Sequence, residues 1–170
     1  LSLILIDVVI PILNEADNLE ACLDSVKNLD IPENIQIKVN IVDGGSTDGS
    51  INIAKRYCDS NPIFQLINNP KKTAAAAMNI IIDKCFGDYV LRLDAGNTYD
   101  TSYLKLCYET SKKRNAANVG GIIETVAGSN QYGARLVQAI ISHPFGVGNS
   151  VFRTGSSTEK KVDTVPFGFF

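Results

Sequence analysis

Residues 4–12 read ILIDVVIPI, an almost unbroken β-branched run that carries one charge, Asp7. A strand with one wet face would alternate apolar and polar residues, so an uninterrupted run fits a strand buried on both faces of a parallel sheet. Working outward, the period changes at once. From about Asp17, Leu19, Cys22, Val26 and Leu29 fall on one helical stripe while Asp17, Glu20, Asp24 and Lys27 fall on the other side. Ile35–Val42 reads as a second strand and runs into GGSTDGS (44–50), a loop of turn and N-cap residues, after which Ile51, Ala54 and Cys58 mark a second helix. A short third strand, Ile63–Ile67, is broken by Asn68, Asn69 and Pro70. A third helix over Thr73–Cys85 is expected to turn Ala74, Met78, Ile81 and Cys85 inward, and Tyr89–Leu93 is a fourth strand that ends at Asp94. Four strands alternating with three helices predict an α/β domain with a mainly parallel sheet and right-handed crossovers.

Beyond Asp94 the rhythm loosens. The pattern predicts a helix near Thr101–Lys113, a strand near Asn118–Val126, a helix near Asn130–Ser142, and from Pro144 a Gly/Ser-rich loop that leads to the apolar end VPFGFF. Length and composition bound the rest: 170 residues, 45% hydrophobic and 20% charged, make one globular domain and exclude disorder. The longest stretch without Asp, Glu, Lys or Arg, Leu136–Phe152, is 17 residues with Gln138, His143, Pro144 and Asn149 inside it, too polar to span a membrane. The opening LSLILI has no basic region or cleavage site and reads as strand, not signal peptide. Cys22, Cys58, Cys85 and Cys107 stand far apart on helix faces with a single His in the chain, which argues against zinc or a disulfide framework and for core packing in a reducing, cytoplasmic setting.

Charge is uneven. Residues 1–50 carry nine acids against Lys27 and Lys38, while the other 120 carry 14 basic and nine acidic residues. No basic block of nucleic-acid-binding density is present. Solvated helix faces account for most of these charges, although a carboxylate-rich and a cation-rich end also suit a metal-bound anionic ligand.

In open α/β sheets the ligand crevice lies beyond the carboxyl ends of the strands. Glu15 follows the first strand, Asp43 ends the second and Asp94 ends the fourth, so three carboxylates converge there. One acid at a strand end is ordinarily a helix cap; three suit a hard cation or the donors of a ligand. The sequence after the first strand, IPILNEADN, lacks GxGxxG, and no GxxxxGK[ST] occurs, which disfavours a dinucleotide oxidoreductase and a P-loop. Asp43–Gly49 also fails as a calcium loop.

Taken together, VVIPILNEADNLEACLDS, IVDGGSTDGS, NNPKKTAAAAMN and DYVLRLDAGNTY resemble the inverting family-2 glycosyltransferases of GT-A fold, most closely the succinoglycan-type exopolysaccharide glucosyltransferases. NVGGIIET, SHPFGVGNSVFRTG and VDTVPFG extend the resemblance over nearly the whole chain. It implies that 1–170 is a single GT-A catalytic domain truncated at its C-terminus, with 1–97 binding the nucleotide-sugar donor and 98–170 beginning the acceptor side. It also implies site residues. Pro11, Asn14 and Glu15 match the loop lining the nucleotide pocket, with Gly45 in the second loop. Asp43 matches the acid that accepts a hydrogen bond from the base, uracil by its imide N–H. Asp94 matches the first acid of DxD, at the ribose and a diphosphate-bound Mg2+ or Mn2+. Asn79 lies in the helix beside the donor pocket, and Lys71 or Lys72 approaches the diphosphate unless both are simply solvated loop residues.

The sequence departs from the family twice. The second DxD acid would stand at 96, where Gly96 has no side chain to ligate, which leaves Asp94 with Asn97 as a weaker metal candidate and predicts weak metal binding without nucleotide. The general base is expected beyond Phe170, so no catalytic base is assigned; Asp163 lies before the base motif. His143 reads as a helix cap. Gly146, Gly148 and Asn149 form either a loop that closes over a ligand or a connector, and Gly120 and Gly121 mark a close backbone approach, to a sugar or as a bulge. The expectation is a transferase that moves a sugar from a UDP-sugar to a glycan or lipid-linked acceptor at the inner face of the plasma membrane. Two alternatives stand beside it: a nucleotide-sugar-binding domain without chemistry, and a nucleotidyltransferase.

Overall fold

The computed structural model describes residues 3–84, 87–126, 132–148, 150–156 and 158–170. The chain forms two compact units, residues 1–119 with 167–170, and residues 120–166.

The first unit is built on four parallel strands, β1 (Ile4–Ile12), β2 (Ile35–Asp43), β3 (Phe64–Asn68) and β4 (Tyr89–Arg92), in the order β3-β2-β1-β4. Side chains alternate across a strand, and β1 shows the result. Ile6, Val8, Ile10 and Ile12 enter the larger core with Leu19, Cys22, Leu23 and Val26 of α1 (Ala16–Lys27), Ala54 and Tyr57 of α2 (Ser50–Ser60), and Leu104 and Cys107 of α4 (Tyr103–Arg114). Val9 enters the smaller core with Val42, Val90 and Ala77 and Ile81 of α3 (Ala74–Ile82). The continuous apolar run of β1 thus has a layer on each side. Handedness explains why α3 takes the opposite face: the chain adds β2 and β3 on one side of β1, then reverses to place β4 on the other, and a right-handed crossover in the reverse direction passes over the other face.

Several expectations about the first unit change in detail. On α3, Ala74 is exposed while Ala76, Ala77 and Ile81 are buried; Cys85 lies outside the described residues. On α2, Ala54 and Tyr57 are the buried apolar positions, with Ile51 and Cys58 half-buried. Cys22 and Cys107 are buried, as core packing predicts, and burial pushes the Cys107 thiol up to about 11. No strand forms over Asn118–Val126. Val119 makes a lone antiparallel bridge with Phe169, which also bridges Leu91. Phe169 is fully buried, stacked on Tyr89 with ring centroids 4.9 Å apart, so it is core and not an exposed terminal aromatic; Phe170 is 41% exposed. The Val90 N–H donates to the Phe170 carbonyl and the Phe170 N–H donates back to Val90, which extends the sheet past β4.

The second unit contains α5 (Tyr132–Ile141) and two short turns, α6 (Pro144–Val147) and α7 (Val151–Thr154), where a loop was expected. Pro144 opens α6 with its φ already helical, and His143 Nδ1 accepts from the Phe145 N–H, so His143 is a polar cap. The Gly120 backbone lies so close to Pro166 that a Cβ would sit 2.4 Å from the Pro166 carbonyl oxygen. The glycine serves a close approach of the chain to itself. Asn130 and Asn149 lie outside the described residues. No described helix is long and apolar enough to cross a membrane.

Candidate functional site

Register brings the strand ends level. Ile12 pairs with Asp43 and Asp43 with Asn68, so β1, β2 and β3 stop together, while Val9 pairs with Arg92 at the end of β4. A crevice of about 240 Å³ opens beyond these ends. Pro11, Ile12, Leu13 and Val42 give it an apolar part, and Glu15, Lys72, Arg92 and Asp94 give it charge. Two carboxylates and two cations share the wall.

At the β2 end the loop is fixed from within. The buried Asp43 carboxylate accepts from the Gly45 N–H at 2.9 Å, from the Ser46 N–H, and from the Ser46 hydroxyl at 2.6 Å. Charge-assisted bonds of this kind are roughly twice as strong as neutral ones. The Ser46 hydroxyl in turn accepts from the Asn14 N–H, and Asn14 Oδ1 accepts from the Thr47 N–H, which ties the first loop to the second. Asn14 holds φ +57 and Lys72 φ +59, left-handed values rare outside glycine that cluster at functional loops. Gly45, at φ +90, lies under the Lys72 side chain: a Cβ there would be 3.8 Å from Nζ.

Asp48 joins both helices of the first crossovers. Its carboxylate accepts from the Ala16 N–H that opens α1 and from the Ser50 N–H and hydroxyl that open α2. An anion at two helix N-termini is favoured by both dipoles. These bonds, the Ser50 hydroxyl first, lower its pKa to about 2.

At the β4 end the anchoring is different. Tyr99 Oη donates to the Asp94 carbonyl at 3.0 Å and accepts from the Asp94 N–H at 2.7 Å, so the backbone of Asp94 is clamped. Burial pushes the Tyr99 phenol well above its ordinary range, and it stays protonated. The Cys22 thiol donates to the same carbonyl; burial, then the Asp94 and Glu15 charges, push it up to about 12, which makes it an inert packing group. The Asp94 side chain is held by Arg92, whose Nη2 lies 3.1 Å from Oδ1 and 3.4 Å from Oδ2, with both side chains about 40% exposed. Two positions apart at a strand end, the pair projects to the same side.

Pro11, Glu15, Lys72 and Asp94 therefore meet in the crevice. Asn14, Asp43 and Gly45 stand behind its wall and shape the loop. Asn79 is exposed on α3, Asn97 follows Asp94 in a turn, Lys71 is exposed, and none of the three is part of the wall. Sequence reading missed Arg92, Tyr99 and Asn69. Arg92 alone was within reach, from the period-two pairing with Asp94.

For a divalent ion the donor set is thin. Among the described residues no three His, Cys, Asp or Glu gather to hold a metal. Asp94 presents one carboxylate, shared with Arg92, and a Cβ added at Gly96 would meet no atom within 4 Å, so there is room for an ion beside it. One carboxylate with open space beside it would suit only an ion that takes most of its ligands from groups other than the protein's, with Asp94 the carboxylate available to it.

The model of the family "Glycosyl transferase family 2" matches residues 7–160. The chain is 34% identical over 152 residues to the succinoglycan biosynthesis protein ExoA of Rhizobium meliloti, across 88% of this chain and 44% of that protein. It thus spans less than half the length of that relative. Among solved structures it superposes on the mannosyltransferase PcManGT of Pyrobaculum calidifontis in complex with GDP-Man and Mn2+, with TM-score 0.62 and 24% identity over 69% of this chain and 35% of that one. It also superposes on S. aureus TarS 1-349 in complex with UDP-GlcNAc, with TM-score 0.62 and 19% identity over 74% of this chain and 36% of that one. A parallel α/β sheet with its crevice at the strand ends, and a family match over most of its length, place this chain in glycosyl transferase family 2, with the GT-A fold of its structural neighbours.

Proposed function

We propose that the crevice binds a UDP-sugar and that the enzyme containing this chain transfers the sugar, with inversion, to a glycan or lipid-linked acceptor in exopolysaccharide or cell-surface polysaccharide synthesis. The observation that carries this reading is the division of the crevice into an apolar part at Pro11, Ile12 and Val42 and a charged part at Lys72, Arg92 and Asp94. A flat base suits the first and a diphosphate the second. Support for the acceptor class comes from the polysaccharide role in the name of the Rhizobium relative. A lipid-linked acceptor would set the reaction at the cytoplasmic face of the plasma membrane.

In this reading residues 1–97 hold the donor and the following region begins the acceptor side. Asp43 and its loop form the floor of the base pocket, Asn14 fixes the first loop on the second, and Lys72 and Arg92 supply cations to the diphosphate. A divalent ion, Mg2+ or Mn2+, on Asp94 and the phosphates would act as a Lewis acid toward the leaving group. Charge grows on the departing diphosphate, so fixed cations there stabilise the transition state more than the ground state. We assign no general base, and no role in the crevice to Asn79 or Asn97.

The test is UDP release from a panel of UDP-sugars, with and without Mn2+. Turnover of one UDP-sugar supports the transferase. Tight binding of UDP-sugars without turnover in a chain extended past Phe170 would instead make this a nucleotide-sugar-binding domain.

A further inference from the structure

The strand that carries Asp94 ends before it. β4 stops at Arg92, and although the Leu93 N–H still donates to the Val9 carbonyl of β1, the Asp94 N–H turns to a side chain. That side chain is Tyr99, whose hydroxyl accepts from the Asp94 N–H and donates to the Asp94 carbonyl. One group bonded on both sides of a Cα holds the two peptide planes that meet there, and with them the direction in which the side chain leaves the backbone.

Tyr99 is itself held from three sides. Its N–H donates to Ser25 Oγ at 3.1 Å, and the Ser25 hydroxyl donates to the Cys22 carbonyl at 2.7 Å, so α1 anchors the residue. Its buried ring meets those of Tyr103 and Phe167, with centroids 5.6 and 5.8 Å away, and the Tyr103 hydroxyl donates to the Phe167 carbonyl. The contact of the Asp94 carboxylate with Arg92 is by comparison half-exposed and exchangeable. Resting on the nucleotide-sugar reading above, we infer that Tyr99 is a positioning residue, whose hydroxyl sets the Asp94 carboxylate for a divalent ion shared with the diphosphate. Where the protein offers an ion one carboxylate, the groups that orient that carboxylate govern how well the ion is held.

The experiment compares the full native chain with Tyr99→Phe, which keeps the ring and removes the hydroxyl. Uptake of Mn2+ by the UDP complex is read from the electron paramagnetic resonance of free Mn2+ against a protein-free UDP control, and UDP affinity in EDTA is read by calorimetry. Tyr99→Phe should weaken Mn2+ by about tenfold and UDP in EDTA by less than about twofold. Ser25→Ala, which frees the Tyr99 N–H and leaves the phenol in place, should weaken Mn2+ by about threefold. Thermal unfolding checks that each variant is folded, and Ser25→Ala decides the matter where Tyr99→Phe is not. Native Mn2+ affinity in a folded variant, equal losses with and without Mn2+, or a native UDP complex that takes up no Mn2+ would overturn the role of Tyr99 while the nucleotide-sugar reading stood. No UDP binding by the native protein would overturn both.

Discussion

The β2 and β4 ends of the crevice are built on different principles. At β2 the acid is buried and its hydrogen bonds are supplied from within: Asp43 takes donors from Gly45 and Ser46, Asn14 locks the neighbouring loop, and Asp48 caps two helices. At β4 the acid has a clamped backbone but a half-exposed side chain whose partner, Arg92, is as exposed as itself. The β2 end is preorganised, which favours binding of a rigid group such as a base. The β4 end holds its charges in water, where the pair is worth little and can be exchanged for a ligand's charges. Substitutions at the two ends should therefore differ in kind, costing stability and ligand affinity together at β2 and ligand affinity alone at β4.

The largest effect is expected at Asp43. Asp43→Ala removes the acceptor of three hydrogen bonds from a buried loop, and should cost ~2–4 kcal/mol of stability together with about 100-fold in UDP affinity. Denaturant unfolding and calorimetry measure both. Native stability in this variant would break the contrast between the two ends.

Arg92→Ala comes next and should separate the two quantities. Stability changes by less than ~1 kcal/mol because the pair is exposed, while UDP affinity in EDTA drops about tenfold through loss of a phosphate cation. A variant that melts well below the native protein would show that the β4 end is also structural. Gly96→Asp works in the opposite direction. With open space at that Cβ, the added carboxylate should raise Mn2+ affinity of the UDP complex by about tenfold, read from the electron paramagnetic resonance of free Mn2+, with little change in melting temperature.

The smallest effect is a pH dependence at Asp48. Its folded pKa of about 2 lies below the ordinary 3.8, so its contribution is present above about pH 4 and lost as the pH falls toward 2. The melting-temperature gap between the native protein and Asp48→Asn should be steady above pH 4 and close below it. A gap independent of pH would assign the caps to neutral hydrogen bonding alone.

How much of this was legible in the sequence follows the same physical lines. The short, continuous β-branched run at Ile4–Ile12 is legible as a strand buried on both faces, and its strand has the predicted bounds. Ala74–Ala77 offers no contrast among its residues, so the buried face of α3 could not be read from periodicity. The strand expected near Asn118–Val126 reduces to one bridge at Val119, and a sequence cannot show that Gly120 beside it is pressed against Pro166. Glu15 and Asp94 line the crevice where the strand ends predict them, and Asp43 ends β2 but turns its carboxylate into its own loop. Tyr99 and Asn69 could not be read, since a clamp five residues from Asp94 and a buried amide in the crevice wall exist only once the loops have closed.

The central claim is that a uridine nucleotide occupies the crevice beyond the strand ends. Amide chemical shifts of the isotope-labelled chain titrated with UDP test it directly. Saturable shifts are predicted at Leu13–Glu15, Asp43–Ser46, Asn69–Thr73 and Arg92–Gly96, with Leu5, Ile35 and Tyr89 at the opposite strand ends unmoved. The absence of saturable shifts, or shifts centred on those opposite ends, would contradict it.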